Sequence, residues 1–276
     1  MILLTFDLET YLPTKTIRSI CDIEARRIEE IVDKMLALDI RTTFFCTGEF
    51  IDHNDNIINR LIENGHELAN HTFMHLPFRT LSHNEFIQSI QKCDELIQNK
   101  TGKKPIGFRA PGGNVPIDIC KHLKQMGYVY DSSMCRTYIP GWYEGGLSPN
   151  EPYHPSEINI RKRDSKNIEF LEIPLGRIPC TPFPLGGVFL STLPLLPEKL
   201  LLKMCRDDKF HVMYVHPIDL ISIPRDKRYI WDSFRLPDLA NRIIDYILEQ
   251  NRGFDMRICA LSDSMFNKSY NNENFE

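Results

Sequence analysis

The chain has 276 residues, is 42% hydrophobic and carries a net charge of −4 at neutral pH. This length fits one large domain or two small ones, and this hydrophobic fraction supports a core that needs no disulfide. The net charge is slightly acidic, whereas nucleic-acid-binding proteins usually carry a basic stripe. We therefore expect no nucleic acid among the partners.

The sequence predicts neither export nor membrane insertion. No stretch approaches the roughly 20 apolar residues of a transmembrane helix, and the first residues resemble no signal peptide. The eight cysteines are scattered, without a Cys-x-x-Cys pair, and are expected to be reduced thiols. We therefore predict a cytoplasmic location, or the cytoplasmic face of a membrane.

Strand-like and helix-like segments alternate over about the first 130 residues. Apolar or β-branched runs predict strands at 2–6, 42–46, 67–70, 106–108 and 128–130. Helical stripes of apolar residues lie between them, at 22–38, 55–64, 83–99 and 116–126. Such alternation predicts βα units around a parallel sheet, which is an α/β fold.

The second half is less regular. Prolines and glycines predict a long loop at 136–165, of a kind that often binds ligands or covers a site. Further predicted elements are strands at 170–173, 212–215 and 257–261 and a helix at 237–249. We predict one domain over residues 1–265 and a loosely ordered tail over 266–276.

Two acids follow the first predicted strand. Asp7 and Glu9 are two residues apart, and this period places both on the same face. Two such carboxylates repel each other unless a cation or an arginine lies between them. The alternative is a strand that simply runs out into a polar loop.

Two histidines follow the third predicted strand. His71 and His75 are four apart, a spacing that points both imidazoles the same way on a helical turn. Neutral imidazole suits zinc, and a carboxylate supplies the third ligand in open catalytic sites. An isolated pair of histidines more often lies at the protein surface or caps a helix. Here the nearby acids favour metal ligation.

Three more polar residues lie at predicted strand ends. Arg109 opens a loop with proline and two glycines, and its permanent charge can keep a neighbouring carboxylate ionised, with an ordinary turn and an exposed arginine as the alternative. His216 is predicted as a general acid, with a core histidine as the alternative. Asp131 is predicted to orient His216 or tune its charge, with a turn or N-cap aspartate as the alternative. Since barrels gather chemistry at the carboxyl ends of their strands, these residues predict a metal-assisted hydrolase.

Five motifs, in this order, resemble those of the NodB-type polysaccharide deacetylases, the fourth carbohydrate esterase family. They are Thr5–Glu9, His71–His75, Arg109–Gly113, Asp131 and His216. The resemblance covers about residues 1–260. Tyr128–Ser133 and His216–Asp219 are especially similar to a bacterial branch linked to surface-glycan biosynthesis.

The resemblance implies a distorted (β/α) barrel, often with seven strands, as the catalytic domain. It implies a metal site, with zinc as the leading ion and cobalt or another divalent ion as alternatives. The implied activity is hydrolysis of an N-acetyl group from an amino sugar, in a glycan or glycan precursor, releasing acetate. Deformylation or another small-amide hydrolysis on the same site stays open, as does a glycan-binding relative with a degraded site. The oligomeric state is not implied.

Residue roles follow from the family's order of motifs. The resemblance implies that Asp7 is the base, that Arg109 holds it, that His216 is the acid, and that the metal ligands are Glu9, His71 and His75. The family usually has two adjacent aspartates, whereas Leu8 separates the acids here. Whether Asp7 or Glu9 is the direct ligand therefore stays open.

Aromatic residues extend the predicted pocket. Tyr214 stands where the family usually has leucine, and we expect it to reshape the pocket for the acyl methyl. In the long loop, Trp142, Tyr143 and Tyr153 are candidates for stacking on sugar rings, with local packing as the alternative.

Overall fold

The computed structural model describes residues 1–9, 17–139, 143, 145–178, 181–192, 210–221 and 237–273. The strands among them are β1 (Ile2–Leu8), β2 (Thr43–Cys46), β3 (Glu67–Asn70), β4 (Gly107–Phe108), β5 (Tyr130–Asp131), β6 (Pro155–Ser156), β7 (Asn159–Arg163), β8 (Leu171–Glu172) and β9 (His211–Val215). The helices are α1 (Ile17–Ala37), α2 (Gly48–His53), α3 (Asp55–Glu63), α4 (His83–Thr101), α5 (Ile119–Gln125), α6 (Gly187–Thr192), α7 (Pro237–Gln250) and α8 (Ile258–Glu273). Three 3₁₀ turns lie at Phe78–Thr80, Pro111–Gly113 and Pro217–Leu220.

Seven of the strands form one parallel sheet in the order β8-β5-β4-β3-β2-β1-β9. A parallel bridge joins Leu175, which follows β8, to Val212 on β9, so the two edges of the curled sheet approach each other. The predicted seven-stranded, distorted (β/α) barrel is confirmed. Among the described helices, none has both the length and the hydropathy of a membrane-spanning segment.

The central strand β1 shows why the sheet forms. All seven of its residues are buried, as expected for a parallel strand that is covered on both faces. Its neighbours are β2 on one side and β9 on the other. The core therefore surrounds β1, and the polar residues at its carboxyl end open into the barrel mouth.

Local signals set the ends of α4, the helix that supports β3. Ser82 and Glu85 form a capping box at its start, and Gly102 adopts a left-handed conformation with a φ of 75° at its end. The helix buries one face, including Phe86 and Ile90. Helix α4 thus lies against the segment that carries the two site histidines.

Two sequence-based predictions need correction. The segment at 257–261 is the start of helix α8 and not a strand, because a short apolar run does not distinguish the two. Thr43 and Glu67 accept the first backbone N–H groups of this helix, at 2.8 and 3.1 Å. Helix α8 continues to Glu273, residues 274–276 lie outside the described part, and the loose order of the tail stays a prediction. The long loop at 136–165 contains the antiparallel pair β6–β7.

Candidate active site

A cavity of about 340 Å³ opens at the carboxyl ends of the parallel strands. Its wall is formed by residues from β1 and β9, from the loops that follow β1, β3, β4 and β9, from the chain between β5 and α6, and from α6 itself. These are Asp7, Glu9, His71, His75, Arg109, Ala110, Gly112, Gly113, Tyr143, Leu175, Val188, Phe189, Tyr214, His216 and Asp219. All but one of the predicted site residues thus meet in one cavity, and the exception is Asp131.

Arg109 holds Asp7 deep in the site. The guanidinium Nη1 donates to the Asp7 carboxylate at 2.5 Å and to the Thr5 hydroxyl at 3.0 Å. Its Nε and Nη2 donate to the backbone oxygen and hydroxyl of Ser132, at 3.0 and 3.1 Å. The ring of Phe45 lies 3.8 Å below the guanidinium carbon. With both charged side chains buried, this arrangement fixes the orientation of the Asp7 carboxylate.

His71 presents one unpaired ring nitrogen to the cavity. Its Nδ1 lies 2.7 Å from the backbone oxygen of Arg109, so Nδ1 carries the proton and donates. The other nitrogen, Nε2, is buried and has no hydrogen-bond partner among the described residues. Burial, reinforced by His75 and opposed by the nearby acids, lowers the pKa of His71 to about 4. The imidazole is therefore neutral, with a lone pair on Nε2, which is the form that ligates a metal.

The two histidines converge through a bend and not through the helical turn that their spacing suggested. Thr72 has a φ of 65°, a left-handed conformation that is uncommon for residues other than glycine. The Asn70 side chain accepts the Thr72 backbone N–H at 2.7 Å and donates to Asp94 at 2.7 Å. The bend brings the rings of His71 and His75 to a centroid distance of 5.0 Å.

The donor atoms of Glu9, His71 and His75 fit a divalent cation. One atom from each residue lies within 4.8 Å of the other two. Oε2 of Glu9 is 2.7 Å from Nε2 of His75, but the contact lacks hydrogen-bond geometry, and this buried oxygen is otherwise unpaired. Burial alone would raise the pKa of Glu9, yet His75 and His216 outweigh it and lower the pKa to about 2. Two imidazole nitrogens and one ionised carboxylate oxygen make a set that suits zinc.

His216 is oriented by a carboxylate that the sequence reasoning did not assign. Oδ2 of Asp219 lies 3.4 Å from Nδ1 of His216 and accepts its backbone N–H at 3.0 Å. Nε2 of His216 is 3.8 Å from Oε1 of Glu9. Burial would lower the pKa of His216, but Asp219 and Glu9 raise it to about 9. The sequence did contain a sign of this contact. Asp219 comes three residues after His216, and the proline between them starts a 3₁₀ turn.

Asp131 does not fill the predicted position beside His216. Its fully buried carboxylate accepts the Ser133 hydroxyl at 2.5 Å and lies beside Glu172 across the β5–β8 pair. The Ser133 hydroxyl in turn accepts the backbone N–H of Ala110, at 2.8 Å. Asp131 therefore supports the arginine loop from behind.

The predicted aromatic residues lie in different places. Tyr214 lines the cavity as expected, and its hydroxyl lies 2.6 Å from that of Tyr143. Tyr153 is buried away from the cavity, where its hydroxyl donates to the backbone oxygen of Ile160. Trp142 lies outside the described residues.

Comparison with protein families gives one match, to polysaccharide deacetylase, over residues 1–130. The chain is 31% identical over 107 residues to the uncharacterized protein YlxY of Bacillus subtilis, covering 36% of this chain and 33% of that protein. It is 30% identical over 86 residues to a peptidoglycan-N-acetylglucosamine deacetylase of Bacillus cereus, covering 31% of each. The matched part spans about a third of the length of these relatives.

Solved structures share the fold. A putative polysaccharide deacetylase from Mycobacterium smegmatis aligns with a TM-score of 0.63 at 15% identity, over 97% of this chain and 90% of that chain. A CE4 family pseudoenzyme from Bacillus anthracis aligns with a TM-score of 0.53 at 15% identity, over 95% and 65%. At these identities the likeness concerns the fold alone.

Proposed function

We propose that this chain, whose residues 1–130 match the polysaccharide deacetylase family, is a metal-dependent hydrolase that removes an N-acetyl group from an amino sugar and releases acetate. One observation carries the proposal: the donor atoms of Glu9, His71 and His75 face Asp7 and His216 in a single cavity. The amino sugar is part of a glycan or of a glycan precursor.

Glu9, His71 and His75 would hold the metal. A divalent ion at this place supplies a Lewis acid and an acidified water. Zinc is the ion that we propose, because two imidazoles and one carboxylate with open positions are typical of catalytic zinc, with cobalt or another divalent ion as the alternative. The ligand role of Glu9, and not Asp7, is supported by the ion pair that already engages Asp7 with Arg109.

Asp7 is proposed as the general base. Its carboxylate lines the cavity and is held by the permanent charge of Arg109. A carboxylate that is fixed in this way accepts the proton of the attacking water without first reorienting. The cost of its burial is offset by the guanidinium.

His216 is proposed as the general acid. A pKa near 9 keeps the imidazolium protonated at neutral pH, so it has a proton to give to the departing amine. Asp219 fixes the ring through Nδ1 and leaves Nε2 toward the cavity. Gly112 and Gly113 of the arginine loop also line the cavity, where a backbone N–H is suited to an oxyanion.

Mass spectrometry of a panel of N-acetylated nucleotide sugars, lipid-linked sugars and peptidoglycan fragments, with and without Zn²⁺, tests this function. We expect the loss of one acetyl mass and the release of acetate in the presence of metal. Release of formate from N-formyl sugars would instead support the deformylase alternative.

The non-catalytic alternative has its own test. One relative in fold is a pseudoenzyme, so purified protein should also be assayed for metal content. A metal content near one per chain argues against a degraded site, whereas a metal-free and inactive protein that still binds glycans would overturn the proposal. The cytoplasmic location remains a prediction that cell fractionation can check.

A further inference from the structure

Two tyrosine hydroxyls meet in the wall of the cavity. Tyr143, from the long loop, and Tyr214, from β9, lie 2.6 Å apart through their hydroxyl oxygens, and either one can be the donor. Both side chains are buried, with exposures of 8% and 3%. Burial, together with neighbouring groups that include Asp7, raises the pKa of both tyrosines, so both keep their protons.

The pair has one proton more than its own hydrogen bond uses. Two phenols carry two O–H protons, and the mutual bond takes one of them. Neither hydroxyl has another hydrogen-bond partner anywhere in the described part of the chain. A buried donor without an acceptor costs free energy, so such a group is expected to find its partner in a ligand or in water.

The fold places this donor beside the residues that do the chemistry. In the β1–β9 register Thr5 pairs with Tyr214, and Asp7 and His216 each follow two residues later on the same face. The rings of Tyr214 and His216 meet edge to face with centroids 5.5 Å apart.

Glycines keep the two tyrosine rings in place. A Cβ at Gly186 would lie 2.3 Å from the Tyr214 ring, and one at Gly113 would lie 3.3 Å from the Tyr143 ring. The Gly186 backbone thus packs against the hydroxyl end of Tyr214, and Gly113 against one side of the Tyr143 ring, so a larger residue at Gly186 would displace the Tyr214 ring. Both tyrosines line the cavity that Asp7 and His216 also line, so the remaining proton of the pair lies in the wall of the proposed site.

We infer that the Tyr143–Tyr214 hydroxyl pair donates its remaining hydrogen bond to the oxygen of the substrate's acyl group. The inference rests on the proposed function, because it assigns the pair a partner within the same reaction. Such a donor orients the amide carbonyl and stabilises the oxyanion that develops on it. Leucine at position 214 would have no group able to do this.

The test uses Tyr143→Phe, Tyr214→Phe and the double variant, with Tyr153→Phe as the matched control. The control removes a buried hydroxyl that donates to Ile160, away from the cavity. The first measurement is kcat on the N-acyl sugar that the wild type hydrolyses. We expect the double variant to lose about 10²-fold, the usual effect of removing one oxyanion donor.

The two single variants should differ from each other. The hydroxyl that faces the acyl oxygen can still donate after its partner is removed, so one single variant should stay close to wild type. The other should lose about as much as the double variant, which makes the effects strongly non-additive. The melting temperature and the metal content of each variant are measured as controls. If both match the wild type, a loss of kcat arises at the site.

The second measurement is the affinity of the metal-loaded protein for acetate, by titration calorimetry. Acetate offers carboxylate oxygens in place of the acyl oxygen, and losing a hydrogen bond to a charged group should weaken binding about tenfold or more in the double variant. This arm needs no turnover. If the wild type is inactive on amides but the double variant binds acetate more weakly than the wild type, the result contradicts the proposed function and supports the role of the hydroxyl pair.

The inference is overturned if the wild type binds acetate no better than the double variant. It is equally overturned if the double variant keeps kcat within about twofold of the Tyr153→Phe control. Selective loss in the double variant supports it.

Discussion

We predict that Arg109→Met lowers the free energy of unfolding by about 4 kcal/mol at neutral pH. The guanidinium is 2% exposed and donates four hydrogen bonds, one of them to the Asp7 carboxylate. Removing one partner of a buried ion pair typically costs 3–5 kcal/mol, since the other charge stays buried and uncompensated. Methionine keeps much of the volume, so the loss reports mainly on charge and hydrogen bonding.

The double variant Arg109→Met with Asp7→Asn separates the two contributions. It removes the uncompensated charge and leaves only unpaired neutral groups, so its loss should shrink to about 1–2 kcal/mol. Arg252→Met is the matched control. Its ion pair with Glu249 lies at the surface, where such pairs contribute at most about 1 kcal/mol.

The assay is urea-induced unfolding of metal-free protein, because a bound ion would add its own stabilisation. A loss below about 1 kcal/mol in Arg109→Met would refute the reasoning. So would a double variant that is no more stable than the single one, because the cost would then not arise from the stranded Asp7 charge.

The remaining predictions concern the metal, the acid and a buried acid pair. His71→Ala and His75→Ala should each nearly abolish bound zinc and activity, as measured by mass-spectrometric metal analysis, and full metal content would contradict the ligand set. His216→Ala should keep its metal but lose 10²–10⁴-fold in kcat, and an unchanged kcat would remove the acid assignment. Burial raises the pKa of Asp131 to about 6, and burial together with Asp131 also raises the pKa of Glu172. The folded state thus binds more protons than the unfolded state above pH ~4, and stability should fall as pH rises from there through 6. In Asp131→Asn the free energy of unfolding should fall less over that pH range, by up to about 3 kcal/mol, as measured by urea unfolding at each pH. An unchanged slope would contradict the raised pKa of Asp131.

The sheet could be predicted from the sequence because its strands carry their signals locally. Buried apolar runs such as Ile2–Leu8 alternate with amphipathic helices, and a polar residue follows the end of several strands. Parallel strands bring their carboxyl ends to one edge, so the gathering of Asp7, His71, Arg109 and His216 followed from topology alone.

What could not be predicted depends on contacts between distant segments or on unusual backbone geometry. The pairing of Asp131 with Glu172 arises from the β5–β8 register, across 41 residues that include an irregular loop. The bend at Thr72 requires the Asn70 side chain as its partner, and residue spacing does not report it. Asp219 lay within reach of local reasoning, since a 3₁₀ turn brings residues three apart together.

The position of β1 between β2 and β9 has a consequence for how the chain is made. The partner on one side of β1 is synthesised about 200 residues after it, as the pairing of Leu4 with Met213 illustrates. Until β9 leaves the ribosome, a mostly apolar strand has an open hydrogen-bonding edge, which is a template for pairing with another nascent chain. A fragment ending at residue 130 would keep that edge permanently, so the segment that carries the family's signature is not expected to fold by itself.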